Sequence, residues 1–415
     1  MADTSPSAPL SLAGADWLVR PATRAVFEAL AAAGHPARAV GGAVRNALLG
    51  RPVVDVDIAT PARPEQVIAA ARAAGLAAVP TGLEHGTVTV IAHHLAHEVT
   101  TLRQDVETDG RHATVAFTDD WSADARRRDF TINALYCDAD GQVFDPLGGA
   151  PDLASRRVRF IGDGRARIRE DYLRILRFFR LTAEHGEGPA DAEGLAACVA
   201  ERDGLARLSP ERVRQELVRL FVARRGPELV VSMFDYGLLG LVLPAVPRLA
   251  LLDRVAALET ALGIDGDAML RLAALAVELP EDADRLRERL HLSNSEHATL
   301  RAMLEPVGPA GDEAADRARL YADGASAYRE RTLIGWARSA AGTADRAWRA
   351  RYDLPDRWQP PRFPLGGADI MALGVPSGPR VGELLRALEA WWIGENFAPD
   401  AAALRGKLRE LVAQG

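Results

Sequence analysis

The stretch from 37 to 60, ARAVGGAVRNALLGRPVVDVDIAT, constrains the fold of this chain more than any other. Its pattern predicts a strand, a turn at Gly41 and Gly42, a short helix, and a second strand that carries Asp55 and Asp57. Residues two apart on a strand share one face, so the two carboxylates are expected to project side by side. Adjacent carboxylates repel each other, and Mg²⁺ is commonly held by one or two carboxylates plus substrate phosphates. We therefore predict a divalent metal site on this strand.

The turn and helix before that strand suit a phosphate group. Gly41 and Gly42 permit a tight turn and a close approach of the backbone to a ligand. The helix that follows offers free N–H groups to an anion, and Arg45 adds a cation one turn later. Alone, a Gly-Gly turn is usually only a turn, and an Asp-x-Asp pair is as often solvated as metal-binding. Their combination between apolar strands favours a site for a metal-bound triphosphate.

Length and composition bound the class of protein. A chain of 415 residues is long enough for two or more domains, and 48% hydrophobic and 26% charged residues are typical of a soluble globular protein. No run of about 18 apolar residues occurs, which predicts no membrane partner. The N-terminus has no secretory pattern, so residues 1–20 are expected to form a flexible leader and the protein to be cytoplasmic. Cys137 and Cys198 are expected to be reduced core thiols.

The charge is unevenly distributed along the chain. A formal net charge of −7 argues against a generally basic nucleic-acid binder, although phosphate binding depends on local patches. Arginines cluster in the first half of the chain, in the ranges 126–128, 156–159, 165–180 and 202–225. Positive charge is therefore biased to the first half of the chain, and acidic, alanine-rich stretches further on restore the balance.

The rest of the first half predicts further helices, strands and a third carboxylate. Helical spacing marks residues 20–34 and 64–75, and alternation predicts a hairpin of strands at 87–92 and 97–102. Glu98 is then a candidate third carboxylate beside Asp55 and Asp57, or a merely exposed strand residue. The histidines of the hairpin connection are expected to be solvated rather than to bind metal: His93, His94 and His97. Residues 103–124 lack a clear period and predict a mobile loop.

A second motif, RRDFTINALY, follows that loop. It begins with a cationic cluster, enters a predicted short helix at 130–135, and leads to a hairpin turning at Asp140-Gly141. A solvated basic corner would explain the cluster by itself. Beside a suspected triphosphate site, a nucleotide-binding role is the better interpretation for Arg128, Asp129 and Asn133.

A long amphipathic helix is predicted from 165 to 186. Asp171, Arg174, Arg177 and Arg180 recur on it at intervals of three residues. Asp171 and Arg174 form either an intrahelical ion pair or a base reader, in which a carboxylate accepts from an exocyclic amine while a guanidinium donates to ring acceptors. Such a reader would favour CTP and ATP, since uracil and guanine present a carbonyl at that position.

Helices dominate the remainder. SPERVRQELVRLF predicts a helix capped by Ser209, for which packing is a complete explanation. Apolar helices follow to about 305, and residues 306–361 carry no clear motif. The turn GVPSGP at 374–379 precedes a helix, where it suits a nucleic-acid phosphate or serves as an ordinary turn.

Six motifs in this order resemble those of the class II tRNA nucleotidyltransferases (CCA-adding enzymes) and the related bacterial poly(A) polymerases. They are GGAVRNALLG, VVDVDIAT, RRDFTINALY, FDPLGG, REDYLRILRFFR and LSPERVRQEL, which together span about 37–225. RRDFTINAL together with EDxxR is the most specific part of the resemblance.

The resemblance implies an α+β fold whose N-terminal head has the polymerase-β-like nucleotidyltransferase fold, followed by an all-α neck, body and tail. The implied ranges are 21–164 for the head, 165–225 for the neck with base recognition, 226–330 for the body, and 331–415 for a tail that binds tRNA. The implied activity is template-independent transfer of CMP and AMP from CTP and ATP to the 3′ end of tRNA, with release of pyrophosphate. A poly(A) polymerase and an enzyme adding only CC or only A are alternatives, and a catalytically inactive RNA-binding relative is a more remote one.

The resemblance also implies roles for single residues. Asp55 and Asp57 would hold two Mg²⁺ ions, and Glu98 stays a candidate catalytic carboxylate. Gly42, Arg45 and Arg128 would contact the nucleotide phosphates and sugar, Asp171 and Arg174 would select the base, and Arg177 and Arg180 match further nucleotide-contacting arginines. With Gly41, Asp129 and Asn133, proposed above from the residues themselves, they form the predicted nucleotide-binding set. Asn46 departs from the family, which usually has aspartate there. We expect this difference to alter a supporting hydrogen bond or ion pair without abolishing activity.

Overall fold

The computed structural model describes residues 10–109, 112–308 and 312–414, with side chains left undescribed over 105–115. The chain divides into two compact units, 1–242 and 243–415. A sheet near the N-terminus followed by helices confirms the predicted α+β class.

The strands of the first unit form a large sheet and a separate ribbon. The described strands are β1 (Arg38–Val40), β2 (Asp57–Thr60), β3 (Ala77–Gly82), β4 (Thr87–Ala92), β5 (Leu95–Thr101), β6 (Arg103–Asp109), β7 (His112–Phe117), β8 (Tyr136–Cys137) and β9 (Val143–Phe144). The large sheet has the order β3-β4-β5-β2-β1-β8-β9, and β6 pairs with β7. β2 runs parallel to β5 and antiparallel to β1.

The helices of the first unit surround this sheet and extend beyond it. They are α1 (Asp16–Val19), α2 (Pro21–Ala32), α3 (Gly42–Leu48), α4 (Pro64–Ala73), α5 (Trp121–Arg126), α6 (Ala150–Ala154), α7 (Gly164–Glu170), α8 (Leu173–His185), α9 (Ala192–Ala200), α10 (Pro210–Val222), α11 (Gly226–Asp235) and α12 (Leu239–Val242). Short 3₁₀ turns occupy Leu83–His85, Thr131–Asn133 and Arg202–Arg207. The predicted helices at 20–34 and 64–75 and the predicted hairpin at 87–102 are confirmed.

The core of the sheet fixes where polar groups emerge. In β2, Ile58 and Ala59 are buried, whereas Asp57 at the first position is exposed. Val40 of β1 lies opposite Asp57 in the register. α2 and α4 cover β4 on the same sheet. The apolar run of β2 is therefore held in the core while its first residue reaches the surface.

The N-terminal segment differs from the flexible leader expected over residues 1–20. Leu12 N–H donates to the carbonyl of Gly141 at 2.7 Å, and Val143 N–H donates to the carbonyl of Leu10 at 3.1 Å. Trp17 and Leu18 are buried. Pairing with the end of the sheet and apolar burial thus hold residues 10–20 against the head, and residues 1–9 lie outside the described residues.

The segment at 103–124 is not the mobile loop that was predicted. It forms the β6–β7 ribbon and α5, while residues 110–111 lie outside the described residues. The register runs from Arg103↔Phe117 to Asp109↔His112. A two-stranded ribbon pairs its own backbone groups, so a polar sequence without an apolar period can still form it. β3 was also not predicted from the sequence.

The predicted single helix over 165–186 is in fact two helices, α7 and α8. Asp171 lies between them with φ −155° and ψ 107°, which is extended backbone. Its carboxylate accepts the N–H of Leu173 at 3.1 Å. Such side-chain to backbone bonds compete with helix continuation, and they are the reason aspartate favours helix starts.

The second unit is helical throughout its described residues. Its helices are α13 (Leu249–Leu262), α14 (Ala268–Ala276), α15 (Pro280–Leu290), α16 (Asn294–Ala302), α17 (Glu313–Asp323), α18 (Ala325–Arg338), α19 (Arg346–Tyr352), α20 (Leu354–Arg357), α21 (Gly367–Met371), α22 (Pro379–Gly394) and α23 (Ala401–Ala413). The predicted turn at 374–379 leads into α22, which packs on α21 and α23 around Leu388 and Trp392. No described helix is long and apolar enough to span a membrane.

Three phenylalanines join the head to α8. Phe160 and Phe178 stack with centroids 5.6 Å apart and planes at 10°, and Phe130 lies 6.3 Å from Phe178. Phe178 is fully buried. We expect Phe178→Ala to lower the free energy of unfolding by about 3–5 kcal/mol, because it removes apolar contacts and leaves a cavity. Urea denaturation measures this, with Phe178→Leu as the control that loses less. A loss below about 1 kcal/mol for the alanine variant would contradict this role.

Candidate active site

A cavity of about 770 Å³ opens beside β2, α3, α8 and α10. It brings together nearly all of the predicted site residues, although they are spread over 140 positions of the sequence. The predicted residues that line it are Gly41, Gly42, Arg45, Asp55, Asp57, Arg128, Asp129, Asn133, Asp171, Arg174, Arg177 and Arg180. Glu98 is the predicted site residue that does not line it.

The carboxylates lie at one side of this cavity. Asp57 begins β2, while Asp55 precedes the strand in extended chain rather than lying on it as predicted. Glu98 is exposed on β5, one position before Val99, which pairs with Ile58 of β2. Desolvation raises the pKa of Asp57, and the charges of Glu98 and Asp55 raise it further, against the opposing charge of Arg128. Glu98 and Asp55 therefore both lie near enough to repel Asp57.

This donor set suits a hard divalent cation that completes its shell elsewhere. Among the described residues, no group of three or more His, Cys, Asp or Glu side chains is arranged to hold a metal ion alone. Two mutually repelling aspartates nevertheless provide the oxygen ligands that Mg²⁺ takes together with substrate phosphates. The residues present thus fit a metal that binds with its substrate.

The Gly41-Gly42 turn lies opposite, between β1 and α3. Gly41 has φ +72°, a backbone conformation that favours glycine over residues with a side chain. Arg45 of α3 is buried, and its Nη1 donates to Oδ1 of Asn133. Burial lowers the pKa of Arg45 to about 10, so its guanidinium stays charged at neutral pH. The turn and Arg45 form a cationic wall of the cavity.

Arg128 is fixed by two buried partners. Its Nη2 lies 3.1 Å from Oδ2 of Asp124, and its Nε donates to the hydroxyl of Tyr136 at 3.2 Å. Tyr136 in turn donates to Asp124 at 2.8 Å. Asp124 also pairs with Arg127 at 2.7 Å. Two members of the predicted cationic cluster, Arg127 and Arg128, are therefore held in place and line the cavity, whereas Arg126 is exposed.

Asp129 links the head to α8. Its Oδ1 accepts from the N–H of Phe130 at 2.8 Å and from Asn133 at 3.0 Å, and its Oδ2 accepts from Nε of Arg177 at 2.7 Å. Burial alone would raise the pKa of Asp129, but Arg177 and these hydrogen bonds lower it to about 2. Its carboxylate therefore stays ionised at neutral pH.

A buried network continues from Arg177 to α10. Oε1 of Glu216 lies 3.7 Å from Nη1 of Arg177, and its Oε2 accepts from Nε of Arg180. Arg180 is 2% exposed and also bonds Glu184 at 2.7 Å. Arg180 therefore lines the cavity while its charge is paired with two carboxylates, those of Glu216 and Glu184.

Asp171 and Arg174 both face the cavity but do not pair with each other. Asp171 accepts from Nη2 of Arg212 at 2.7 Å, and Arg174 donates to Glu170 at 2.6 Å. The intrahelical ion pair considered from the sequence is therefore not formed, because Asp171 lies at the break before α8. Both side chains are half-buried.

Two further arginines of the cavity come from α10 and were missed from the sequence. Arg212 and Arg219 line the cavity, although packing was taken as the whole explanation for this helix. Arg212, Glu216 and Arg219 stand at spacings of four and three residues, which places them on one face of a helix. That polar stripe is the sequence signal that would have found them.

Asn46 supports its neighbour Arg45. Its Oδ1 accepts from Nε and Nη2 of Arg45 at 3.2 and 3.0 Å, and its Nδ2 donates to the carbonyl of Pro52 at 3.3 Å. Position 46 thus supports Arg45 through a neutral amide, and the expectation that its difference from the family leaves activity intact stays a prediction.

The histidines of the hairpin separate into two groups. His93 and His94 form the exposed turn with positive φ. His97 is buried and shares a hydrogen bond of 3.2 Å with Oγ1 of Thr23, so the prediction of a solvated side chain is wrong for it. Its place on β5, facing the helices that cover the sheet, explains the burial.

Asp55 and Asp57 lie beside a cavity lined by arginines, and comparison with known proteins identifies this arrangement as the site of a nucleotidyltransferase. Residues 37–159 match the family described as "Poly A polymerase head domain", and residues 191–249 match "Probable RNA and SrmB- binding site of polymerase A". The chain is 35% identical to mouse mitochondrial CCA tRNA nucleotidyltransferase 1 over 393 residues, covering 93% of this chain and 89% of that protein.

Bacterial relatives agree with this match. The CCA-adding enzyme of Latilactobacillus sakei is 30% identical over 88% of this chain and 91% of its own length. The crystal structure of the Bacillus stearothermophilus CCA-adding enzyme in complex with CTP superposes with a TM-score of 0.71 at 27% identity, covering 94% of this chain and 96% of that one. The chain belongs to the family of CCA-adding tRNA nucleotidyltransferases.

The low pKa of Asp129 makes stability depend on pH. Asp129→Asn is expected to lower the free energy of unfolding at pH 7 by about 2 kcal/mol, because a carboxylate with a lowered pKa stabilises the folded state only while it is ionised. The difference from the unmodified protein should narrow as pH falls from about 4 toward about 2. Denaturation at several pH values measures this. A difference independent of pH would show that the lost stability comes from packing.

Proposed function

We propose that this protein extends the 3′ end of tRNA with CMP and AMP taken from CTP and ATP, without a template and with release of pyrophosphate. The observation that carries the proposal is a single cavity that joins strand carboxylates, a cationic Gly-Gly turn, and the Asp171 and Arg174 side chains. The first two suit a metal-bound triphosphate, and the third suits a base. The mouse relative is a CCA tRNA nucleotidyltransferase, and the Bacillus stearothermophilus relative was crystallised in complex with CTP.

Asp55 and Asp57 would hold Mg²⁺, with Glu98 beside them as a candidate third carboxylate. A bound metal would lower the pKa of the RNA 3′-hydroxyl and stabilise charge on the phosphates. In the reaction, the 3′ oxygen bonds to the α-phosphorus of the nucleotide while the bond to the β-phosphate breaks. Asp55 and Asp57 line the cavity together with Arg128, so the attacked phosphate would lie between negative and positive groups.

The triphosphate would lie along the cationic wall. Gly41 and Gly42 permit close approach of the backbone. Arg45 is held by the neutral amide of Asn133 and Arg128 by the carboxylate of Asp124, so both guanidiniums can still donate to phosphate oxygens. Guanidinium groups suit phosphate because they donate through a planar fork. Fixing them through Asn133, Asp124 and Tyr136 orients them before the nucleotide arrives.

Base choice would rest on Asp171 and Arg174. The Asp171 carboxylate accepts a hydrogen bond from the exocyclic amine of cytosine or adenine, and Arg174 donates to a ring acceptor. A uracil or guanine carbonyl would face the same carboxylate and be repelled. Before a nucleotide binds, Arg212 occupies the Asp171 carboxylate, so the base amine must share or replace that contact.

The domain ranges given above for head, neck, body and tail remain proposals, as does tRNA binding by 331–415. A cytoplasmic location likewise stays a prediction, since the mouse relative is named as mitochondrial.

An extension assay with single nucleotides tests the proposed function. Purified protein is incubated with tRNA ending before the first C, after one C, and after both, with each of the four NTPs alone and with Mg²⁺. We expect CTP to extend the first two substrates and ATP the third. Long adenylate tails on unrelated RNA would instead assign a poly(A) polymerase, and addition of only C or only A would assign a partial enzyme.

Loss of a metal carboxylate should stop the chemistry. We expect Asp57→Asn to lower the rate of nucleotide incorporation by more than about 100-fold, since even outer-shell partners of metal sites contribute 10–100-fold. Retained tRNA binding in a filter assay shows that the variant is folded. Glu98→Gln is the matched strand control, and a smaller loss than that of Asp57→Asn would place Glu98 outside the metal shell. Unchanged incorporation by Asp57→Asn would refute this site.

Asp171 should set the choice of base. We expect Asp171→Asn to lower the preference for CTP over UTP by about 5–150-fold in kcat/KM, because a base contact of this kind contributes about 1–3 kcal/mol. Single-nucleotide kinetics on tRNA lacking its terminal C measure it. Arg212→Gln is the control that releases the Asp171 carboxylate without removing it, so it should keep the preference. An Asp171→Asn variant that still rejects UTP would place base selection elsewhere.

A further inference from the structure

A second cavity of about 390 Å³, called the lateral pocket, adjoins the first. The two cavities share Arg45, Asn46 and Arg219 as a common wall. Beyond that wall the lateral pocket is lined by Arg51, Glu184, His185 and Arg224 among others. The lateral pocket is therefore formed by α3 and the residues after it, the end of α8 and the end of α10. Neither Asp55 nor Asp57 lines it.

The lateral pocket carries an excess of positive charge. Four arginines line it against the single carboxylate of Glu184. That carboxylate is already engaged, since it lies 2.7 Å from Nη1 of Arg180 and 3.3 Å from Nη2 of Arg219. Burial would raise the pKa of Glu184, but His185, Arg180 and Arg219 lower it to about 2. The one negative charge of the pocket is thus bound to residues other than Arg51 and Arg224.

Neutral acceptors hold the remaining two arginines in place. Nη1 of Arg51 donates to the carbonyl of Glu184 and lies 2.7 Å from Nδ1 of His185. Nη2 of Arg224 donates to the carbonyl of Gly186 at 2.9 Å. Burial lowers the pKa of His185 to about 4, so the ring is neutral at pH 7 and accepts from Arg51. These contacts fix the directions of both guanidiniums but do not neutralise their charges.

The surroundings of the pocket add to this excess. Burial lowers the pKa of Arg51, and the positive charges of Arg156 and Arg224 lower it further, so three cations lie close together. The charges of Glu184 and Glu187 oppose these cations and come after them in size, and Arg224 also acts on the carboxylate of Glu228. Asn46, in the shared wall, is a neutral amide that places no carboxylate between the two cavities. Oriented, uncompensated guanidiniums are the usual means of binding phosphate.

We propose that the lateral pocket binds a phosphate group through Arg51 and Arg224. The proposal rests on the proposed function, which supplies two sources of such a group next to the shared wall. One is a backbone phosphate of the RNA acceptor strand, and the other is the pyrophosphate that leaves the nucleotide. In either case Arg51 and Arg224 are positioning residues, since they lie outside the cavity where the reacting groups meet.

Binding measurements on Arg224→Gln test the proposal without requiring catalysis. Arg224 is exposed, so its replacement should leave the fold intact. Arg24→Gln is the matched control, because Arg24 is an exposed arginine of α2 that pairs with Glu28 outside both cavities. Arg224→Lys is the conservative variant. The unmodified protein and the three variants are measured without divalent metal. One arm uses inorganic pyrophosphate and calorimetry, and the other uses tRNA lacking CCA at several salt concentrations.

We expect Arg224→Gln to raise the dissociation constant about fivefold or more in one arm at least, with Arg24→Gln unchanged and Arg224→Lys intermediate. A change in the tRNA arm, with a salt slope reduced by about 0.7–0.9, assigns a backbone phosphate. A change in the pyrophosphate arm assigns the leaving group, and a change in both assigns a shared subsite. Equal values for Arg224→Gln and Arg24→Gln in both arms would overturn the proposal.

The two proposals fail in different ways. If the protein adds no nucleotide to tRNA but Arg224→Gln still weakens binding, the proposed function is wrong and the phosphate pocket stands. If extension proceeds normally and Arg224→Gln binds as the control does, the proposal that the lateral pocket binds phosphate is wrong and the proposed function stands.

Discussion

The buried ion pair between Asp129 and Arg177 is the interaction on which the rest of the active cavity depends. Removing two charges from water is costly, and a buried pair stabilises a protein only when its other hydrogen-bonding groups are also satisfied. Here Phe130 N–H and Asn133 satisfy the carboxylate, and Glu216 lies on the far side of the guanidinium. The pair thereby fixes the head, α8 and α10 in one arrangement, and the walls of the cavity follow from it.

Local charge, rather than the charge of the whole chain, decides what this cavity attracts. The protein has a formal net charge of −7, yet eight arginines and four aspartates line the cavity. Several of these arginines are oriented by buried acids, as Arg128 is by Asp124 and Arg180 by Glu216. These acids do not line the cavity, so the lining itself keeps more arginines than carboxylates. A polyanionic nucleotide therefore meets a preformed cationic surface in an otherwise acidic protein.

Local patterns predicted the parts of the site that sequence neighbours determine. The Gly-Gly turn, α3 and the exposed start of β2 follow from glycine conformation and strand alternation. The break at Asp171 did not, because every window around it has helical spacing and the decisive contacts are the Leu173 N–H and Arg212, 41 residues away in sequence. The β6–β7 ribbon was missed because it forms without an apolar period. The role of α10 was missed because its apolar spacing is explained by packing alone. That spacing does not show what the polar face of the helix contacts.

The network through Glu216 also bears on how the gene of such an enzyme can be divided. A catalytic head cut at residue 164 would separate Asp129 from Arg177, and one cut at residue 209 would leave Arg180 with Glu184 as its remaining partner. Each cut would remove part of the charge network that fixes the walls of the cavity. The smallest exchangeable module is therefore not the sheet with its carboxylates but the segment that runs through Phe221. Chimaeras between relatives should be joined after α10, where the charges of the active cavity are complete.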